Sequence, residues 1–208
     1  MHCFVPFAVD TPKSRLDPVF SLAERQSFAT AMLVDVLDAL TTAGYAPTVL
    51  STAPIAAEHV PDRAAVTVDD RTLTTAVNAR LATGTPSLVL MADLPLVRAS
   101  DVRNLADSNA DITIAPGLGG GTNALVVREP RFRTDYHGAS YLDHRRTAAE
   151  LDASVDTIDS RRLATDIDEP SDLAEVLIHG DGAARDWLVD AGFELDTSDG
   201  RVEVQRGQ

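Results

Sequence analysis

The stretch Ser87-Leu88-Val89-Leu90-Met91-Ala92-Asp93-Leu94-Pro95-Leu96-Val97 decides the fold class. Its first half is an unbroken apolar run of the length expected for a strand covered on both faces, as in the sheet of an α/β protein. The run stops at one carboxylate, followed at once by Leu-Pro. Asp93 is thereby set at a strand's carboxyl end, where open α/β sheets bind ligands and a carboxylate can hold a metal ion. For one such residue alone, a turn or helix-capping aspartate is the plain alternative.

Toward the N-terminus, residues 3–9 read as a first strand and residues 10–18 as a loop. Ser21 and Glu24 form a capping box, and Phe28, Met32, Val36 and Leu40 then recur at helical spacing until Gly44. Strands follow at 48–51 and 65–68. Asp69-Asp70-Arg71 leads into a helix with Leu73, Ala76, Val77 and Leu81 on one face, ended by Gly84. Beyond Asp93 the pattern predicts a helix from Ser100, strands at 111–115 and 124–127 and a helix over 140–150. Strands at 155–158 and 163–168 and a helix over 172–179 complete it. Strands alternating with helices at this spacing make one α/β domain over residues 1–180. Residues 181–208 read as an appendage on the same domain, with a helix at 183–191 and a hairpin turning at Asp199-Gly200.

Composition removes several function classes. A net charge of -14 leaves no excess of cations for neutralising nucleic-acid phosphates. No apolar run approaches the length of a membrane span, and the N-terminus has neither a basic region nor a cleavage site, so a soluble cytoplasmic protein is expected. The single Cys3 allows neither an internal disulfide nor a thiolate metal site, which leaves oxygen or imidazole as ligands. The 18 basic residues are 17 arginines and one lysine. With abundant Asp and small apolar residues, this composition fits a protein adapted to molar salt, where charge repulsion is screened within a few Å.

Four features could carry chemistry. Asp166-Ile167-Asp168 places two carboxylates on one face of an extended segment, able to share a cation with Asp93 in an oxygen-only Mg²⁺ site; a solvated strand face is the alternative. Thr11-Pro12-Lys13-Ser14-Arg15-Leu16 holds the only lysine in the first loop, and Lys13 and Arg15 can lie along a polyphosphate. The run 116–123 (Pro-Gly-Leu-Gly-Gly-Gly-Thr-Asn) lets a backbone approach a ligand closely, although a plain hairpin connection would look the same. Tyr136-His137-Gly138-Ala139-Ser140 delivers a helix N-terminus suited to an anion, and Ser140 and His144 share a helical face, although a capping Ser and a surface His are the usual explanation. His2, His59 and His179 have no partners at metal-ligand spacing.

In this order, Val5-Pro6-Phe7 with Lys13-Ser14-Arg15-Leu16, Met91-Ala92-Asp93-Leu94-Pro95-Leu96, Gly121-Thr122-Asn123-Ala124-Leu125, Gly138 with Ser140 and His144, and Asp166-Ile167-Asp168-Glu169-Pro170 resemble the 2-phospho-L-lactate guanylyltransferases. The resemblance spans roughly residues 1–178. It implies a single three-layer α/β domain of the nucleotide-diphospho-sugar-transferase type, with a mostly parallel mixed sheet flanked by helices. It also implies a homodimer, and transfer of GMP from GTP to 2-phospho-L-lactate on the route to the deazaflavin coenzyme F-420. By motif position, Asp93, Asp166 and Asp168 would be the Mg²⁺ ligands. Gly121, Thr122, Asn123, His137, Gly138 and Ser140 would cradle the phosphorylated acid, and Lys13, Ser14 and Arg15 would lie on the GTP phosphates. Phosphoenolpyruvate is the alternative acid, and a sugar or pterin phosphate the alternative acceptor in a related enzyme. A catalytically silent nucleotide-binding module is the alternative of another class. Phe7-Ala8 stands where many relatives carry a lysine, and Thr72-Leu73-Thr74 where they carry Gly-Leu-Asn.

Overall fold

The computed structural model describes every residue except 11, 85, 199, 201 and 208. A seven-stranded sheet has the order β3-β2-β1-β4-β6-β5-β7. Its strands are β1 (His2–Phe7), β2 (Pro47–Ser51), β3 (Ala65–Val68), β4 (Ser87–Leu90), β5 (Ile112–Pro116), β6 (Thr122–Val127) and β7 (Val155–Thr157). The run β3-β2-β1-β4 is parallel, β6 is antiparallel to both its neighbours, and β7 is parallel to β5.

The apolar run in β4 is buried along its whole length, as its composition requires. Leu88 and Leu90 join the core beneath α1 (Leu22–Thr42), while Val89 joins the opposite core with Val77, Leu125 and Phe132. Alternate residues of β6 divide in the same way, Ala124 and Val126 to the first core and Leu125 and Val127 to the second. The sheet is therefore the middle of three layers. Helices α2 (Leu73–Leu81) and α4 (Ser140–Glu150) contribute Val77, Leu81 and Ala148 to the second core, while α3 (Ala99–Asp107) contributes Val102 and Leu105 to the first.

Local signals set the element ends. Ser21 and Glu24 close a capping box at the start of α1, with the Ser21 N–H donating to Glu24 Oε2 at 2.8 Å. Gly44, at φ +100°, ends the helix in a conformation that L residues rarely adopt. The expected strand over 163–168 is absent. Ser160 caps a four-residue helix, α5 (Arg161–Ala164), and residues 165–169 continue outside the sheet. A backbone bond from the Ile167 N–H to the Asp93 carbonyl at 3.1 Å docks that segment beyond the end of β4, and the side chains of Asp166 and Asp168 add bonds to Asn123 and Lys13. The expected alternation survives without the ladder, because Ile167 is fully buried while Asp166 and Asp168 stay partly exposed.

After α6 (Leu173–His179), the tail forms α7 (Ala183–Asp190) and the hairpin β8 (Phe193–Asp196) with β9 (Glu203–Arg206). The residue expected at its turn, Asp199, lies outside the described residues. Leu188 and Phe193 are buried in the main core, and Phe20 meets Trp187 and Phe193 edge-on, each at 5.2 Å. Asp35 of α1 accepts the Ala183 and Ala184 N–H groups at 2.6 and 2.9 Å, so a helix near the chain's end is capped from its first helix. A Cβ on Gly182 would lie 2.2 Å from Asp35 Oδ1. No helix among the described residues is long and apolar enough to cross a membrane.

Candidate active site

The parallel half of the sheet ends in a cavity of about 490 Å³. It is lined at one side by Lys13, Arg15, Asp93 and Asp168 and at the other by Thr52, Asp69, Arg71 and Leu73. Lys13, Thr52, Asp69 and Asp93 follow the carboxyl ends of four adjacent strands, a width of about 14 Å at ordinary strand spacing.

Lys13 is the centre of the first side. It adopts the left-handed conformation (φ 52°, ψ 50°), uncommon for a residue with a side chain, directly before a 3₁₀ turn over Ser14–Leu16. Leu16, fully buried, anchors that turn to the core. The Lys13 ammonium is thereby carried inward, to 2.5 Å from Asp93 Oδ2 and 2.6 Å from Asp168 Oδ1, with 11% of its side chain exposed. Burial disfavours its charge, but attraction to Asp93 and then Asp168 outweighs burial and holds its pKa above the ordinary value. Arg15 reaches Asp168 Oδ2 at 3.5 Å from an exposed position.

The third carboxylate faces another way. Asp166 Oδ1 accepts from Asn123 Nδ2 at 3.0 Å, and the same amide reaches the Leu163 carbonyl. Burial raises the Asp166 pKa despite that bond, and the charges of Asp93 and Asp168 push in the same direction. Among the described residues, no three carboxylate, imidazole or thiol groups converge at metal-binding geometry. What Asp93 and Asp168 share is the Lys13 ammonium. The donor chemistry nevertheless suits a hard cation: Asp93 and Asp168 meet at one ammonium, Asp166 is close enough to feel both charges, and Asp93 Oδ1 is buried with no hydrogen-bond partner among the described residues.

Beyond β4, on β6, the site changes character. The glycine run folds over the start of α4: the Gly117 N–H bonds the Gly121 carbonyl, and the Tyr141 N–H bonds the Gly120 carbonyl. A Cβ at Gly117 would lie 2.7 Å from Asn123 Oδ1 and would displace that amide. Thr122 and Asn123, expected in a loop, begin β6, and both are buried. Ser140 Oγ donates to Thr122 Oγ1 at 3.3 Å, and Thr122 Oγ1 lies 2.9 Å from Nδ1 of the fully buried His144. The structure thus joins Thr122, Ser140 and the neighbouring Asn123. His137 is apart from them, exposed and paired with Asp135 at 2.9 Å, and Gly138 makes the left-handed turn (φ 51°) before α4.

Two residues gain a place in the site that local sequence patterns do not give them. Asp69 is buried at the far side of the cavity and binds Arg71 through both oxygens, at 2.7 and 2.5 Å. That pairing holds the Asp69 pKa at about 2. The available signal was the one that marked Asp93, a carboxylate directly after a strand. The other is His144, marked by its shared face with Ser140 but bonded to Thr122 and Asp135, which lie outside its own helix.

Comparison with known proteins places this architecture. A structure assigned as a nucleotide-diphospho-sugar transferase from Desulfovibrio desulfuricans superposes with a TM-score of 0.74 over 91% of this chain and 95% of that one, at 14% identity. A cytidylyltransferase from Leptospira borgpetersenii does so with a TM-score of 0.55 over 91% and 92%, at 11% identity. These likenesses establish the expected three-layer nucleotidyltransferase fold. In sequence, the chain is 56% identical to a 2-phospho-L-lactate guanylyltransferase of Haloarcula marismortui, over 99% of both chains. It is 42% identical to one of Methanocorpusculum labreanum, over 99% of this chain and 96% of the relative. The family model for guanylyl transferases of the CofC-like type matches residues 1–207, tail included, and the chain belongs to that family.

Proposed function

We propose that this chain transfers GMP from GTP to 2-phospho-L-lactate, forming lactyl-2-diphospho-5'-guanosine and releasing pyrophosphate, on the route to coenzyme F-420. The observation that carries the reading is one juxtaposition. A cation-and-carboxylate cluster at the mouth of the cavity adjoins, through Asn123 and Asp166, a buried hydroxyl pair beside a glycine run. One side suits a triphosphate, the other a small phosphorylated acid.

The chemistry asks little of acid–base groups. A phosphate oxygen of the acid attacks the α-phosphorus of GTP, the bond from that phosphorus to the bridging β-oxygen breaks, and its electron pair leaves with pyrophosphate. A phosphomonoester, with a second pKa of about 6, is already a nucleophilic anion near neutral pH. Holding two polyanions in line is the task, and positioning with charge neutralisation performs it. Lys13, Ser14 and Arg15 bind the triphosphate, and Gly121, Thr122, Asn123, Gly138 and Ser140 hold the acid, with His137 at the rim. Asp93, Asp166 and Asp168 would hold Mg²⁺, which when bound supplies positive charge to the phosphoryl oxygens. The homodimer, cytoplasmic setting and salt-adapted archaeal character belong to the same proposal, supported by composition and by relatives from organisms such as Haloarcula.

Pyrophosphate release tests it. With Mg²⁺ in molar KCl, GTP should support release with 2-phospho-L-lactate, and ATP and CTP should not. Release only with phosphoenolpyruvate would transfer the reaction to that acid. Folded protein that binds GTP but releases nothing with either acid would refute turnover.

A further inference from the structure

Hydrogen-bond direction at His144 is fixed by a group that can only donate. The Asp135 backbone N–H points at His144 Nε2 at 3.0 Å, so that nitrogen presents its lone pair. The ring proton of the neutral imidazole therefore sits on Nδ1, from which it is donated to Thr122 Oγ1 at 2.9 Å. The imidazole is fully buried, and Phe132 and Tyr136 flank it with ring centroids at 5.9 and 5.1 Å. It cannot turn to reverse the pattern. Burial, outweighing the pull of Asp143 and Asp135, lowers its pKa to about 4 and keeps it neutral.

The consequence falls on two hydroxyls. Thr122 Oγ1 accepts from the imidazole and is joined to Ser140 Oγ at 3.3 Å. Two hydroxyl protons serve this pair and one lies between them, so one proton remains without an acceptor among the described residues. Were Nδ1 bare instead, Thr122 would spend its proton on the ring.

We infer that His144 is a positioning residue that forces the Thr122–Ser140 pair to keep one hydroxyl proton free for a ligand, so that this subsite takes an anionic oxygen of the acid substrate and rejects a hydroxyl donor. The inference rests on the proposed reaction for the identity of the acid, but not for the direction of the relay. His144 touches no reacting atom. It acts through Thr122.

Two isosteric changes separate this role from a merely structural one. Asn at 144 places its amide near Nδ1 and can still donate to Thr122, losing the Asp135 bond. Gln places its amide near Nε2 and keeps the Asp135 bond, losing the donor to Thr122. His144→Gln should raise KM for the acid about tenfold or more, with KM for GTP unchanged, while His144→Asn stays within about threefold of wild type. An equal or larger KM rise in His144→Asn would overturn the inference. Imidazole ¹⁵N shifts of the unliganded wild type test the relay without relying on variants that fold: a proton on Nδ1 is expected, and a proton on Nε2 overturns it. Wild-type protein inactive with both acids would refute the proposed reaction, and the shifts would still decide the relay.

Discussion

On the Lys13 side the candidate site is ionic: one ammonium held by two carboxylates, an exposed arginine and a third carboxylate that accepts from Asn123. On the His144 side it is neutral: a fixed imidazole, two hydroxyls and a glycine backbone. Both sides would face anions. The ionic side lies nearer solvent, where opposite charges can trade partners as a triphosphate arrives and leaves. The neutral side is buried, where an unpaired cation would be costly and oriented dipoles serve better. In a chain with a net charge of -14, the two cations of the ionic side, Lys13 and Arg15, are both placed against its carboxylates.

The contrast is broken most sharply at the junction. Asp166→Asn preserves the shape but replaces an anion beside Asp93 and Asp168 with a neutral amide. A loss of turnover of about 10³-fold or more is expected with an unchanged circular dichroism spectrum. Activity within a few-fold of wild type would remove Asp166 from the metal-binding proposal.

The neutral side should show itself in the pH dependence of stability. His144 has a folded pKa near 4 against an ordinary 6.5, so between those values the unfolded chain takes up a proton that the folded one refuses. Its contribution is present above pH 6.5 and is lost as the pH falls through 4, by up to about 3 kcal/mol. Asp35 acts in the opposite sense. Burial, against its two backbone bonds, raises its pKa from 3.8 to about 6, so its contribution is present below 3.8 and is lost as the pH rises through 6. The two slopes oppose one another, and the difference between wild type and His144→Asn in denaturant melts isolates the first. A difference that stays flat from pH 7 to 4 would mean that His144 is not held neutral.

On the ionic side the corresponding change is Lys13→Met. It leaves Asp93 and Asp168 facing one another without their cation, and a loss of about 2 kcal/mol is expected, smaller than for a fully buried pair because Asp168 is partly exposed. Added Mg²⁺ should raise the melting temperature more in this variant than in wild type, since it binds carboxylates that Lys13 otherwise occupies. Equal Mg²⁺ shifts would separate the lysine seat from the metal site.

The two sides also differ in how far the sequence revealed them. Short-range patterns were legible: the double-sided burial of β4, the capping pair Ser21 and Glu24, and the carboxylate after a strand at Asp93. The acidic pair at 166 and 168 was placed correctly in its alternation but wrongly in a strand. Alternation belongs to any extended backbone, whereas this segment is docked by bonds to Asp93, Asn123 and Lys13, all far from it in sequence. Lys13 was marked as unusual by being the only lysine, yet its partners lie 80 and 155 positions along the chain. The Asp35 cap on α7 spans 148 positions, and no local pattern carries it. The neutral relay was the least visible, because direction in a hydrogen bond is a property of partners and not of residue types.

The smallest effect gives the finest test of the contrast. Arg15 is 67% exposed and stands 3.5 Å from Asp168, so its charge acts largely through solvent. Arg15→Ala should raise KM for GTP a few-fold at about 0.1 M salt, where charges act over roughly 10 Å. The effect should fade in molar KCl, where that reach falls to about 3 Å. The acid KM shift in His144→Gln should persist at both salt concentrations, because buried hydroxyls and a neutral ring are not screened. A His144→Gln defect that fades with salt as the Arg15→Ala defect does would mean that the two sides bind their anions by the same long-range charge, and the division between them would fail.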